Sequence, residues 1–290
     1  MVPYKDSMPI IGAHVSAAGG LHTCFRNAEE IGAQALQIFG ASPRQWSARQ
    51  PTAAQVEEFK AEQKRSGLGP VFLHGAYLVN LGTPKQELWA KSVENLAAHL
   101  RIATAIGAQG VIFHVGSSNG SSKEEGMKRA AEGMKEVLQQ VPGKTQLIME
   151  NAAGGGDKIG RDPQELGWLL QNVKSKRVKV CIDTQHTFAA GCVPVYNPKE
   201  IQAFVEVSDK AFGWENVVAL HLNDSKTIAG SCHDRHENIG EGFIGSKGFK
   251  HLAQNASMKK LPWILEVPGF ENQGPDKKNI DIVKKVVAAA

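Results

Sequence analysis

Apolar and polar positions along the chain follow two periods that take turns. Short β-branched and aliphatic runs recur at 10–15, 35–39, 71–74, 111–115, 147–150, 178–183, 217–222 and 263–267 and read as strands. Between them apolar residues return every three or four positions. That period predicts helices over 21–31, 52–65, 84–106, 123–140, 163–172, 198–210, 247–253 and 277–287. Thr52 is placed to cap the second of these, and the Gly67-Leu68-Gly69-Pro70 stretch breaks it before the next strand. A strand followed by a helix, repeated eight times with no two strands in succession, predicts a parallel sheet, because parallel neighbours need a crossover between them. Eight such units close into a (β/α)8 TIM barrel, here as a single α/β domain over 1–290; a doubly wound open sheet is the other arrangement the alternation allows. No linker or low-complexity segment interrupts the series.

The strands end abruptly in polar groups. The run Val178-Lys179-Val180-Cys181-Ile182 stops at Asp183, with His186 three places on in the loop that follows. The third strand ends in His74, the fourth in His114, the fifth in Glu150, the seventh in His221 and the eighth in Glu266, while Asp234 and His236 lie in the loop after strand seven. Taken singly, each has a plain structural reading: a histidine there is a satisfied core residue, and an acid caps the next helix. Together they mean something else. The groups are spaced by roughly one βα unit, so a barrel brings them all to the rim where such folds keep their active sites. Five of the ten histidines and four carboxylates meeting there leave charge unpaired unless cations lie among them. Nine N and O donors exceed the roughly four that one tetrahedral zinc ion takes and suit two or three ions sharing bridging carboxylates; so many imidazoles favour zinc or manganese over magnesium. Clustered divalent ions point to phosphoester hydrolysis. His14, His22, His99 and His251 fall outside the pattern and read as structural or surface residues.

Bulk composition is that of an ordinary globular protein, 42% hydrophobic and 21% charged. A formal charge of +4 with a pI near 8.8 permits a polyanionic partner without requiring one. No apolar run approaches the roughly 20 residues that cross a bilayer, and the N-terminus has no apolar leader, so a cytoplasmic protein with no membrane partner is expected. Cys24, Cys181, Cys192 and Cys232 form no paired framework, and reduced thiols are expected.

Several segments carry a resemblance. Gly12–Gly20 (GAHVSAAGG), Tyr77–Gly82 (YLVNLG), Glu150–Gly154 (ENAAG), Cys181–His186 (CIDTQH), His221–Asp224 (HLND), and Asp234–His236 (DRH) with Asn238–Gly242 together resemble, in this order and nearly end to end, the endonuclease IV family of apurinic/apyrimidinic endonucleases. The resemblance implies a (β/α)8 barrel with three zinc ions. It implies that His74 and His114 hold the first, that Glu150 bridges it to a second completed by Asp183, His221 and Glu266, and that His186, Asp234 and His236 hold the third. Glu150 and Glu266 are then the carboxylates of the catalytic centre. In the family a metal-bridging hydroxide attacks the phosphate 5′ to an abasic nucleotide in duplex DNA, leaving a 3′-hydroxyl and a 5′-deoxyribose phosphate in base excision repair. Family members bend the duplex and extrude the abasic nucleotide, and the matching wedge residues here are Arg44, Tyr77 and Leu78. An aromatic or aliphatic side chain replaces lost stacking, and a nucleotide without its base is cheap to flip. Two departures stand out: Cys232 and His233, just before Asp234, are alternative ligands, and Val267 follows Glu266 where many members carry Thr.

The expected protein is therefore a monomeric zinc-dependent deoxyribonuclease acting on abasic duplex DNA. A metal-dependent sugar isomerase on the same barrel is the alternative; it needs fewer histidines and has no use for the Arg44, Tyr77, Leu78 wedge. A non-catalytic binder of damaged DNA is a third reading.

Overall fold

The computed structural model describes residues 8–290. The barrel strands are Ile11–His14, Ala35–Phe39, Val71–His74, Gly110–His114, Gln146–Glu150, Val178–Asp183, Val217–His221 and Trp263–Leu265. Each pairs in parallel with its neighbours in sequence, and the eighth returns to the first, so the closed sheet has no free edge. The helices Thr23–Ile31, Ala53–Ser66, Gln86–Ile106, Lys123–Gln140, Pro163–Val173, Pro198–Phe212, Gly245–Gln254 and Lys277–Ala288 follow the strands.

Local chemistry starts these helices where the sequence indicates. Thr52 with Gln55, and Ser122 with Glu125, form reciprocal capping boxes; Asp162 and Asn197 cap helices whose first residue is proline. Phe25, Phe59, Leu96, Leu100 and Phe249 are fully buried between helices and strands, each contributing roughly 1.5–3 kcal/mol of transfer free energy. Among the described residues no helix is long and apolar enough to cross a membrane.

The inside of the barrel explains the site. Ala35, Phe72, Ile112, Ile148, Cys181, Ala219 and Ile264 form an apolar plug of their own, separate from the outer core. Side chains along a strand alternate between faces, so the next inward position lies two residues on. Those positions are Gln37, His74, His114, Glu150, Asp183, His221 and Glu266, with His14 two beyond Gly12. Gly12 leaves room that a side chain would fill: a Cβ there would come within 2.5 Å of the Ala35 carbonyl oxygen and 2.7 Å of Ile264. One polar layer therefore sits on one apolar layer, and every strand contributes to it.

Two stretches differ from expectation. The segment after strand six is a six-residue helix, Thr184–Ala189, so His186 stands on a helix rather than in a loop. The loop after strand seven contains a small antiparallel pairing of Asp224–Ser225 with His236–Glu237, which folds Asp234 and His236 back over the rim.

Candidate metal centre

Glu150 is the hub of the polar layer. Its Oε2 lies 3.2 Å from His74 Nε2 and 3.6 Å from His114 Nε2, and its Oε1 lies 3.0 Å from His221 Nδ1 and 3.2 Å from His186 Nδ1. His221 Nδ1 is also 3.0 Å from Glu266 Oε2 and 4.0 Å from Asp183 Oδ2. Asp234 Oδ1 lies 3.3 Å from His186 Nε2 and 3.4 Å from His236 Nε2, and the latter is 3.8 Å from Asp183 Oδ2. Ligand atoms fall into three groups, each compact enough for one ion: His74 with His114 and Glu150; Glu150 with Asp183, His221 and Glu266; and Asp183 with His186 and His236. Asp234 borders the third. The structure thus brings all nine sequence-selected donors together.

Backbone carbonyls decide which imidazole nitrogens are free. A carbonyl oxygen only accepts, so a ring nitrogen facing one carries the proton. His74 Nδ1 donates to the Gly75 carbonyl at 2.8 Å, His186 Nδ1 to that of Asn151 at 2.8 Å, and His236 Nδ1 to that of Glu266 at 3.2 Å. In the neutral ring Nε2 then carries the lone pair, and in each case it faces carboxylate oxygens. His186 Nε2 and His236 Nε2 are buried and have no hydrogen-bond partner. Such lone pairs repel the carboxylates unless a proton or a metal ion lies between them, and one divalent ion can serve several of these pairs at once. The donor set therefore fits divalent metal ions.

Burial and charge oppose one another here: burial lowers the His74 and His186 rings, but hydrogen bonds and charge from neighbouring carboxylates outweigh it and raise both above the ordinary histidine value. Burial pushes the Glu150 and Glu266 carboxyls up, but neighbouring imidazoles, His114 and His221 for Glu150 and chiefly His221 for Glu266, outweigh it and hold both well below the usual carboxylate range. Burial holds the His114 and His14 rings below the ordinary histidine value. Asp183 fills both roles open to it. Its Oδ1 caps the short helix by accepting from His186 N–H at 2.8 Å, and its Oδ2 faces the cluster and accepts from Asn223 Nδ2 at 2.6 Å.

Several supporting groups are not evident from the sequence. His14, which the sequence pattern leaves among the structural residues, has Nδ1 3.3 Å from Glu266 Oε1. Gln37 donates to the same oxygen at 2.6 Å. Asn151 Oδ1 accepts from Asp183 N–H at 2.6 Å, and Asn223 Oδ1 from Glu266 N–H at 2.9 Å, so two asparagines tie strand ends together. The period of two along the first and second strands is the signal that could reveal His14 and Gln37. Cys232 is not brought to the cluster: its sulfur packs 3.3 Å from the position a Cβ on Gly154 would take. His233 is exposed, and neither residue joins a ligand group among the described residues. Val267 is buried in the core.

A cleft of about 1310 Å³ opens above the cluster. His74, His114, Glu150, Asp234 and Glu266 form its floor, and Tyr77 stands at its side. Tyr77 is 62% exposed, its ring 5.4 Å from that of Phe39, a large aromatic surface held out to solvent beside the metal ligands. Arg44 is exposed and Leu78 half-buried; neither lines the cleft.

Residues 25–286 match the family of xylose isomerase-like TIM barrels. A probable endonuclease 4 of Thermosipho melanesiensis is 38% identical over 262 residues, covering 89% of this chain and 92% of the relative. A probable endonuclease 4 of Chloroflexus aggregans is 35% identical, with 97% and 98% covered. The chain belongs to the endonuclease IV family. The fold agrees: the crystal structure of endonuclease IV from Thermus thermophilus superposes with a TM-score of 0.85 at 36% identity, covering 97% of this chain and 100% of that one.

Proposed function

We propose that the protein is an abasic-site endonuclease, a hydrolase that cuts the phosphodiester 5′ to an abasic nucleotide in duplex DNA and leaves a 3′-hydroxyl and a 5′-deoxyribose phosphate. The observation that carries this reading is the convergence of nine metal-competent side chains under an open cleft, with two buried imidazole nitrogens unpartnered and aimed at carboxylate oxygens. His74, His114 and Glu150 would hold one zinc ion, Glu150, Asp183, His221 and Glu266 a second, and His186, Asp234 and His236 a third. Divalent cations so held lower the pKa of water and draw charge from phosphoryl oxygens.

The chain's own groups do the rest. Glu150 presents one oxygen to the Nε2 atoms of His74 and His114 and the other to His221 Nδ1, so this carboxylate would be shared by the first two donor groups. Hydrogen bonds from His74, His186 and His236 to main-chain carbonyls keep the opposite nitrogens free and fixed in direction. Tyr77, Arg44 and Leu78 on the rim enter the duplex and fill the space left by the flipped nucleotide. Arg49, exposed and lining the cleft, would add a sequence-independent phosphate contact. The protein is proposed to act as a cytoplasmic monomer, one domain over 1–290.

A duplex with a single tetrahydrofuran residue, incubated with zinc-loaded protein, is expected to be nicked 5′ to the lesion and to leave an end that a polymerase extends. Turnover of an aldose with no nicking would establish the sugar isomerase instead. Retention of the duplex without cutting would leave a binder of damaged DNA.

A further inference from the structure

The polar layer contains one uncharged amide, and both of its ends are spent on the site. Gln37 is fully buried on the second strand, one inward step above Ala35, where an unsatisfied carboxamide would cost on the order of 2–7 kcal/mol. A carboxylate oxygen only accepts, so the atom 2.6 Å from Glu266 Oε1 is the Gln37 NH2. The Gln37 carbonyl oxygen therefore faces His221 Nε2, at 2.9 Å, and can only receive its proton. His221 thereby carries a proton at Nε2, which leaves Nδ1, 3.0 Å from both Glu150 Oε1 and Glu266 Oε2, as the nitrogen open to an ion. The second amide hydrogen reaches His14 Nδ1 at 2.9 Å.

We propose that Gln37 is a positioning residue of the second metal subsite, selecting His221 Nδ1 as the ligand nitrogen and leaving Glu266 Oε2 as the ligand oxygen. This rests on the metal-centre reading above. No other side chain does the same work. Lysine would add a positive charge that competes with the ion, glutamate could not donate to Glu266, and asparagine is one methylene too short to span both partners. Neither end of the amide bonds to the backbone of a neighbouring strand, as a merely structural glutamine would.

The test uses Gln37→Met, close in shape and without hydrogen bonds, in the full-length zinc-loaded protein. Ions per chain and the rate of zinc loss to a chelator are expected to show one ion released about 10–100-fold more readily than in wild type. On abasic duplex, kcat is expected to fall with KM for DNA unchanged. A Gln37→Met protein with wild-type ion retention overturns the proposal while leaving the metal reading intact, whereas wild type that binds no divalent ion overturns both. Long-range 15N–1H spectra of the zinc-loaded wild type need no variant. They are expected to show His221 protonated at Nε2 with Nδ1 bare, and a proton on Nδ1 refutes the assignment.

Discussion

Asp224 offers a sharp test of how the rim loop is held. Its carboxylate accepts five backbone N–H groups: Ser225 at 2.8 Å, Ile244 at 2.9 Å and Gly245 at 3.3 Å on Oδ1, and Gly240 at 2.9 Å, Gly242 at 3.2 Å and Gly245 at 3.2 Å on Oδ2. One buried acid thus gathers both ends of the segment that carries Asp234 and His236. Asp224→Ala leaves all five donors without their acceptor. Water can reach the three half-buried glycines, but Ser225 and Ile244 are buried. With roughly 1–3 kcal/mol for each of these two sealed N–H groups left unmade, the penalty is about 2–6 kcal/mol. The barrel strands do not depend on these bonds, so the loss falls on local opening of 224–245 rather than on global unfolding. Native-state hydrogen exchange should show protection of the Ser225 and Ile244 amides falling by a factor on the order of 30 to about 20,000, since about 1.4 kcal/mol is tenfold. The third ion should be lost more readily, and incision should fall with it. Wild-type protection at those two amides in Asp224→Ala would refute the reasoning.

Other expectations follow from the same geometry. Glu150→Gln, which removes the charge at the hub of the cluster, should abolish cleavage while some binding to abasic duplex survives in a gel-shift assay. Tyr77→Ala should weaken capture of abasic duplex by about 1–3 kcal/mol, the worth of one aromatic stacking contact, read as a higher KM on abasic DNA with little change in binding to intact duplex. Stripping the ions with a chelator should stop incision and lower Tm by several degrees, because ions that bind only the folded chain stabilise it by about 2.7 kcal/mol each at a hundredfold excess over Kd; zinc added back should restore both. Burial holds His99 below its ordinary value of 6.5, so the folded protein refuses a proton that the unfolded chain accepts. Its stabilising contribution is therefore present above pH 6.5 and is lost as pH falls from there through the depressed folded value, by at most about 1.4 kcal/mol per pH unit. Urea unfolding of His99→Leu at pH 7.5 and 5.5 should show a smaller drop than wild type, and an equal drop would contradict it.

The eight barrel strands are legible in the sequence because each is a short apolar run, buried on both faces and separated by a helix-period segment. Six of the nine donors, His74, His114, Glu150, Asp183, His221 and Glu266, are legible because they close such runs at the same end, and His186, Asp234 and His236 because they follow closely in the segments beyond strands six and seven. What stays hidden shares a cause: local pattern reports how polar a residue is, not which way it points. Gln37 reads as an ordinary strand residue until the inward register from Ala35 to Phe39 is fixed by pairing with the first and third strands. His14 reads as structural for the same reason. The helix Thr184–Ala189 carries no amphipathic signal because all six of its residues are buried, so nothing in the sequence marks His186 as helical. Asp183 illustrates a false choice, since the helix-capping reading and the ligand reading are both true of different oxygens of one carboxylate. The pairing of Asp224–Ser225 with His236–Glu237 spans two residues on each side of a polar loop, too short for any periodicity to show.

Anomalous X-ray scattering at the zinc edge, from crystals of the zinc-loaded protein, tests the central claim most directly. Three peaks are predicted: beside His74 and His114, between Glu150 and Glu266, and beside His186 and His236. Crystals in which these nine side chains enclose no cation peak would contradict the account.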